Sequence, residues 1–188
     1  MSRLIPLLVL AVSALTGCAH TCAPETFLKP TMEAPAGTRV GGNGRHLYVF
    51  AGAPVVMRVA ECATPSRTTD SAPAMICMDF WVEEGATVSW AKPAFLFTTP
   101  NGDSLGESVL SDPLLTFPGG RDPTATALTG GVMYFDSWNH HVLTVQAPAF
   151  SSTDFTLQPP GLVVNGRQWP TLKFQFRRVT EDVCRPST

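Results

Sequence analysis

Long helical patterns are missing from this chain. Beyond residue 18, none of its 188 residues belongs to a sustained i, i+3, i+4, i+7 apolar stripe, which excludes a helical bundle. Charge is also scarce. Charged residues make up 15% of the sequence and the formal net charge is -2. Lys and Arg are scattered, apart from Arg177-Arg178, so the electrostatic footprint of a nucleic-acid binder is lacking. No C-x-x-C pair occurs, so a zinc site lacks its usual ligand spacing. The one long uncharged apolar run, residues 4 to 15, is shorter than the roughly 20 residues a transmembrane helix needs.

What is present begins with that run. Met1-Ser2-Arg3 is a short basic start, "LIPLLVLAVSAL" follows, and small residues come next. This order describes a secretory signal peptide. Leu15-Thr16-Gly17-Cys18 resembles the lipobox of bacterial lipoproteins. The resemblance implies diacylation of the Cys18 thiol, cleavage before Cys18 and acylation of the new amino terminus. Several acyl chains anchor a protein stably, whereas one gives only marginal binding. The alternative is an ordinary signal peptide cut near Ala19. In proteobacterial lipoproteins an Asp at the residue after the cysteine retains the protein in the inner membrane. By that resemblance, Ala19 implies the outer membrane, with the domain on its periplasmic face.

The expected division is a signal peptide over residues 1–17, a lipidated start and Pro/Gly-rich tether over 18–45, and one domain over 46–188. Assigning Cys18 to lipid leaves four of the five cysteines, and an oxidising compartment favours two disulfides. Four cysteines allow three pairings. The favoured one joins Cys62 to Cys77 and Cys22 to Cys184. The first closes a Pro/Ser/Thr-rich loop, and a loop of that size implies about 3 kcal/mol in the chain-entropy model. The second staples the ends of the domain, with an effect of about 4–5 kcal/mol in the same model.

The 17 Pro and 15 Gly interrupt helices and separate short β-branched and aromatic runs. Strands are expected at 46–51, 54–60, 76–82, 86–91, 94–99, 114–117, 131–136, 141–146, 154–158, 161–165 and 171–179. Leu172, Phe174 and Phe176 alternate with Lys173, Gln175 and Arg177, which gives one apolar and one solvated face. Asn165-Gly166 between apolar flanks is a hairpin signal. "SLGESVLSD" (104–112) offers at most one helical turn. The fold class is therefore all-β: a β-sandwich, with an immunoglobulin-like topology as one arrangement, behind an N-terminal signal helix.

Several motifs spell chemistry. Gly102-Asp103-Ser104-Leu105-Gly106 satisfies the nucleophile-elbow pattern G-x-S-x-G and resembles the serine block of the GDSL hydrolases. That resemblance implies Ser104 as nucleophile. The departures are several: no helix pattern follows, and the family's Gly-x-Asn-Asp and Asp-x-x-His blocks have no match. Pro100-Asn101-Gly102-Asp103 is turn chemistry, so a hairpin loop is expected. Ser89-Trp90-Ala91-Lys92 and Ser137-Trp138-Asn139 resemble two motifs of penicillin-binding proteins and serine β-lactamases, but "LTGG" (128–131) lacks the lysine of the third. In a strand, Ser89 and Lys92 face opposite sides. Met57, Met75, Met78 and Met133 could offer a soft site for Cu(I); core filling is the commoner use of Met.

The loop "DSWNHH" (136–141) gathers Asp136, Trp138, Asn139, His140 and His141. Trp stacks on sugar faces and Asn or Asp bonds hydroxyls, so Asp136, Trp138, Asn139 and His140 form a candidate ligand site for glycan. A metal held by His and Asp is the other use. In a strand, His140 and His141 would face opposite sides. The leading functional expectation is an envelope-anchored lipoprotein with a non-catalytic binding or scaffolding role. Its partners would be the bilayer, through acylated Cys18, and an envelope protein or a glycan, with no cofactor. Ligand binding at 136–141 stands second, and a serine esterase through Ser104 third.

Overall fold

The structure, a computed structural model, describes residues 20–50, 54–62, 73–92, 94–110, 115–120, 138–148 and 154–186. Residues 1–19, and with them the expected signal helix and Cys18, lie outside the described residues, as do the expected strand at 131–136 and Asp136. Among the described residues every regular element is a strand. In chain order these are β1 (His20–Thr31), β2 (Arg39–Gly42), β3 (His46–Phe50), β4 (Val55–Glu61), β5 (Met75–Val82), β6 (Thr87–Trp90) and β7 (Ala94–Thr98). There follow β8 (Ser104–Val109), β9 (Phe117–Pro118), β10 (Asn139–Gln146), β11 (Asp154–Gln158), β12 (Leu162–Val164), β13 (Arg167–Gln168) and β14 (Phe174–Pro186).

The strands form three sheets in a sandwich-like arrangement, with orders β1-β14-β11-β7-β8, β10-β5-β4-β3-β2 and β13-β12-β6-β9. Period-two patterning sets which face each strand buries. Leu172, Phe174 and Phe176 are buried while Lys173, Gln175 and Arg177 are exposed, as their alternation predicts. Phe80 of β5 packs against Phe117 of β9 and Trp90 of β6, at ring-centroid distances of 5.1 and 5.7 Å, and Trp90 packs on Phe95 of β7 at 5.5 Å. This aromatic chain links all three sheets through one continuous core. Burying each such side chain contributes roughly 1.5–3 kcal/mol.

Turn chemistry sets the register. Asn165 and Gly166 join β12 to β13 with φ of 49° and 74°, the positive pair that a type I′ turn demands. The Asn165 side-chain oxygen accepts from the Thr87 backbone N–H at 2.8 Å, tying the turn to β6.

Two expectations are corrected. The stretch read as a tether carries β1 and β2. Phe27 and Leu28 are buried, and the Leu28 N–H donates to the Glu61 carboxylate at 2.7 Å, so the chain gains more from pairing than from remaining free. The possible helical turn at "SLGESVLSD" is instead strand β8, because its neighbour β7 offers a ladder and Gly106 suits the bulge between them.

The chain divides into two compact units. One comprises Met1–Glu25 with Thr180–Thr188, the other Thr26–Val179. Within the first, Cys22 and Cys184 form a disulfide across 162 residues of sequence. Within the second, Cys62 and Cys77 form a disulfide across 15. Both are the favoured pairs.

Candidate functional site

Strands β4 and β5 bury almost every side chain, yet each carries one charge in the middle of its apolar run: Arg58 and Asp79. The antiparallel register places them directly opposite each other and sets Trp81 opposite His140 on β10. All four point away from the core, on the outer face of the β10-β5-β4-β3-β2 sheet. Directly opposite and diagonal neighbours on one sheet face come within side-chain reach, so the four form a single cluster.

Asp79 lies at its centre. It is only 2% exposed, a rare state for a carboxylate unless paired. Arg58 Nε and Nη2 each donate to Asp79 Oδ2 at 2.9 Å. His140 Nε2 donates to Asp79 Oδ1 at 2.8 Å. Both carboxylate oxygens are thereby used. The imidazole of His140 stacks on Trp81 with centroids 4.8 Å apart and planes 11° apart. The Arg58 guanidinium carbon stands 5.7 Å from the same indole centroid, within cation–π range. Tyr48 and Phe50 extend the aromatic row, with Tyr48 6.4 Å from Trp81 and 6.5 Å from Phe50.

Burial opposes the charge on Arg58, but its hydrogen bond with Asp79, the carboxylate's charge and Tyr48 outweigh that and raise its pKa. Nearby His46 behaves in the opposite way. Burial first, then the positive charge of Arg58, lowers its pKa, with Asp79 opposing in part. His46 Nδ1 donates to Asn43 Oδ1 at 3.1 Å, which suits the neutral ring.

The Asp79–His140 pair has the orienter-and-base form of a hydrolase triad. A triad also needs a nucleophile within reach of the base. Among the described residues no hydroxyl or thiol hydrogen-bonds His140, and Cys77 two residues from Asp79 is held in a disulfide. The cluster is a partly exposed aromatic and cationic surface over a buried anion.

The residues singled out from sequence fall in different places. His140 joins the cluster. His141 faces the other side of the strand, donates through Nε2 to the Pro118 carbonyl at 2.9 Å and stacks on Phe117 at 4.9 Å. Asn139 also reaches the Pro118 carbonyl through Nδ2, at 3.3 Å. Trp138 is half-buried. The strand thus separates the two histidines as alternation predicts, and His141 and Asn139 serve to hold β9. Among the described residues, no group of three or more His, Cys, Asp or Glu side chains could hold a metal ion.

Ser104 opens β8 at the end of a hairpin. The Thr99 N–H donates to the Asp103 carbonyl at 2.8 Å, and the Gly102 N–H donates to the Thr99 carbonyl at 3.0 Å. Ser104 is exposed. The described imidazoles of His46, His140 and His141 bond Asn43, Asp79 and Pro118. Ser89 pairs with Val163 inside β6, whereas Lys92 lies beyond that strand and is exposed. Met57 and Met78 are fully buried in the core, while Met133 lies outside the described residues.

Sequence reading missed Tyr48, Arg58, Asp79 and Trp81 as a group. The available signal was a lone charge centred in each of "PVVMRVA" and "ICMDFWV", since two unpaired charges in buried strands call for each other.

Compared with known proteins, the chain matches no family model, no curated protein and no solved structure.

Proposed function

We propose that this chain is an envelope lipoprotein, acylated at Cys18 and held at the outer membrane, whose sandwich binds a protein partner rather than performing catalysis. The binding face in this reading is the outer face of the β10-β5-β4-β3-β2 sheet. The observation that carries it is the convergence of Tyr48, Arg58 and Trp81 on one patch. Trp, Tyr and Arg are the residue types enriched at binding hot spots. Beside them Val142 is 54% exposed, a β-branched apolar side chain in contact with water. Arg58 is already fixed by Asp79, so less side-chain entropy is lost when a partner arrives. The lipid anchor rests on the lipobox resemblance described above.

Two measurements test the reading. Cells expressing the full chain are labelled with radioactive palmitate, with Cys18→Ser beside the native sequence. Label on the native chain only is expected; label retained in Cys18→Ser refutes the anchor. Cross-linking in intact envelopes then compares the native chain with Trp81→Ala. A discrete cross-linked species lost in Trp81→Ala is expected, and the same species at the same yield in both refutes the assigned face.

A further inference from the structure

A second surface of the sandwich points to a different ligand. The outer face of the β1-β14-β11-β7-β8 sheet holds a cleft of about 540 Å³, lined by Lys29, Thr31, Asp154, Thr156, Gln175 and Arg177. That volume falls within the range of about 300–1,000 Å³ typical of small-ligand pockets. Alternate positions of these strands supply the polar side chains, and Pro100, Phe155, Phe176 and Val179 complete the lining.

The pairing registers order these side chains. Gln175 on β14 stands opposite Thr156 on β11, Thr156 opposite Thr98 on β7, and Thr98 opposite Ser104 on β8. At the other end, the Thr31 hydroxyl of β1 donates to the Gln175 carbonyl at 3.4 Å. Each strand therefore contributes one hydroxyl or amide side chain to a line across the sheet; Thr31, Gln175 and Thr156 line the cleft, and Thr98 and Ser104 continue the line beyond it. Such a line repeats at the strand spacing, about 4.8 Å. That spacing is close to the advance of one sugar residue along an extended β-linked chain.

Donors that reach the ligand are also present. Arg177 touches Asp154 through Nε alone, at 3.4 Å, and its side chain is 74% exposed. Its terminal nitrogens make no other described hydrogen bond, and Arg177 lines the cleft, which offers a planar pair of donors suited to vicinal oxygens or a carboxylate. Phe155 and Phe176 also line the cleft but are almost wholly buried, so recognition runs mainly through hydrogen bonds and affinity is modest.

We propose that this cleft binds an extended β-1,4-linked glycan laid across the strands, one sugar residue per strand. The site is separate from the Trp81 face and stands or falls without it.

The test is titration calorimetry of the full chain with a β-1,4-linked N-acetylglucosamine hexamer. Saturable binding is expected. The corresponding dimer and an α-1,4-linked glucose hexamer should bind at least tenfold more weakly. Gln175→Ala and Thr156→Val should each weaken the hexamer at least fivefold, whereas Trp81→Ala should bind it unchanged. Should Gln175→Ala fail to fold, Thr156→Val decides, since it keeps the shape and β-branching of the native residue. The proposal is overturned by absence of hexamer binding, by equal affinity in native and variant chains, by equal affinity for the α-linked glycan, or by loss in Trp138→Ala instead, which would return the glycan to the 138–141 strand.

Discussion

Replacing Asp79 with Ala removes the acceptor at the centre of the outer-face cluster. Three short contacts go with it, two from Arg58 and one from His140. Breaking a buried ion pair by deleting one partner costs about 3–5 kcal/mol when the remaining charge stays buried. Here the abandoned partners have an escape: the Arg58 side chain is 31% exposed and that of His140 42%. Water recovers part of their hydrogen bonding, which places the expected loss near 2–3 kcal/mol. For a domain of this size each kcal/mol lowers the thermal midpoint by roughly 2–4 °C, so a fall of about 4–12 °C is expected. Urea unfolding with the disulfides intact gives the free energy, with an unchanged slope as the check that the unfolded state is the same. Asp79→Asn should lose less than Asp79→Ala, because one oxygen remains to accept from Arg58. A double-mutant cycle with His140→Phe, which keeps a ring on Trp81, isolates the Asp79–His140 coupling at about 1–2 kcal/mol. A loss below 0.5 kcal/mol for Asp79→Ala, the scatter expected at ordinary surface positions, would refute the assignment of Asp79 as the organising anion.

Two further outcomes follow from the same geometry. The folded pKa of His46 lies below its ordinary value of 6.5, so as pH falls below 6.5 the unfolded chain takes up a proton that the folded chain resists, and stability declines; above 6.5 this group contributes no slope. The urea midpoint should therefore fall less between pH 7.5 and 5.5 in His46→Gln than in the native chain, and an identical fall would contradict the buried, cation-facing environment. At Gly119, an added Cβ would overlap the Glu83 carbonyl oxygen and stand 2.7 Å from that of Ala86; both are backbone atoms, so Gly119→Ala should cost about 2–3 kcal/mol by overpacking, and a loss under 0.5 kcal/mol by urea unfolding would show that the 119–120 segment yields freely.

The fold was largely legible because β-sheet signals are local. Expected strands at 46–51, 54–60, 76–82, 94–99 and 154–158 match β3, β4, β5, β7 and β11 to within a residue at each end. Alternation and turn residues set strand limits, and neither needs a distant partner. Strand β8 was missed because "SLGESV" carries little apolar patterning of its own; β7 supplies its ladder. Strand β1 was hidden in Pro-rich sequence because its partner, β14, lies far along the chain, and β2, although it pairs with the adjacent β3, is a short Gly-containing segment with little apolar patterning. The candidate site was less legible. His140 was singled out for its neighbours in sequence, Trp138 and Asn139, whereas its actual partners are Asp79 and Trp81.

The sequence by itself determined that this chain folds as strands, which side chains each strand turns inward, and where the Asn165-Gly166 turn lies. All of these follow from backbone preference and side-chain alternation. Only the tertiary structure decided that Arg58, Asp79, Trp81 and His140 share one patch, and that Ser104 stands opposite Thr98 in a line of hydroxyl and amide side chains. Both depend on strand register, which is fixed by pairing between segments up to dozens of residues apart, and a shift of one residue would turn every one of these side chains to the opposite face.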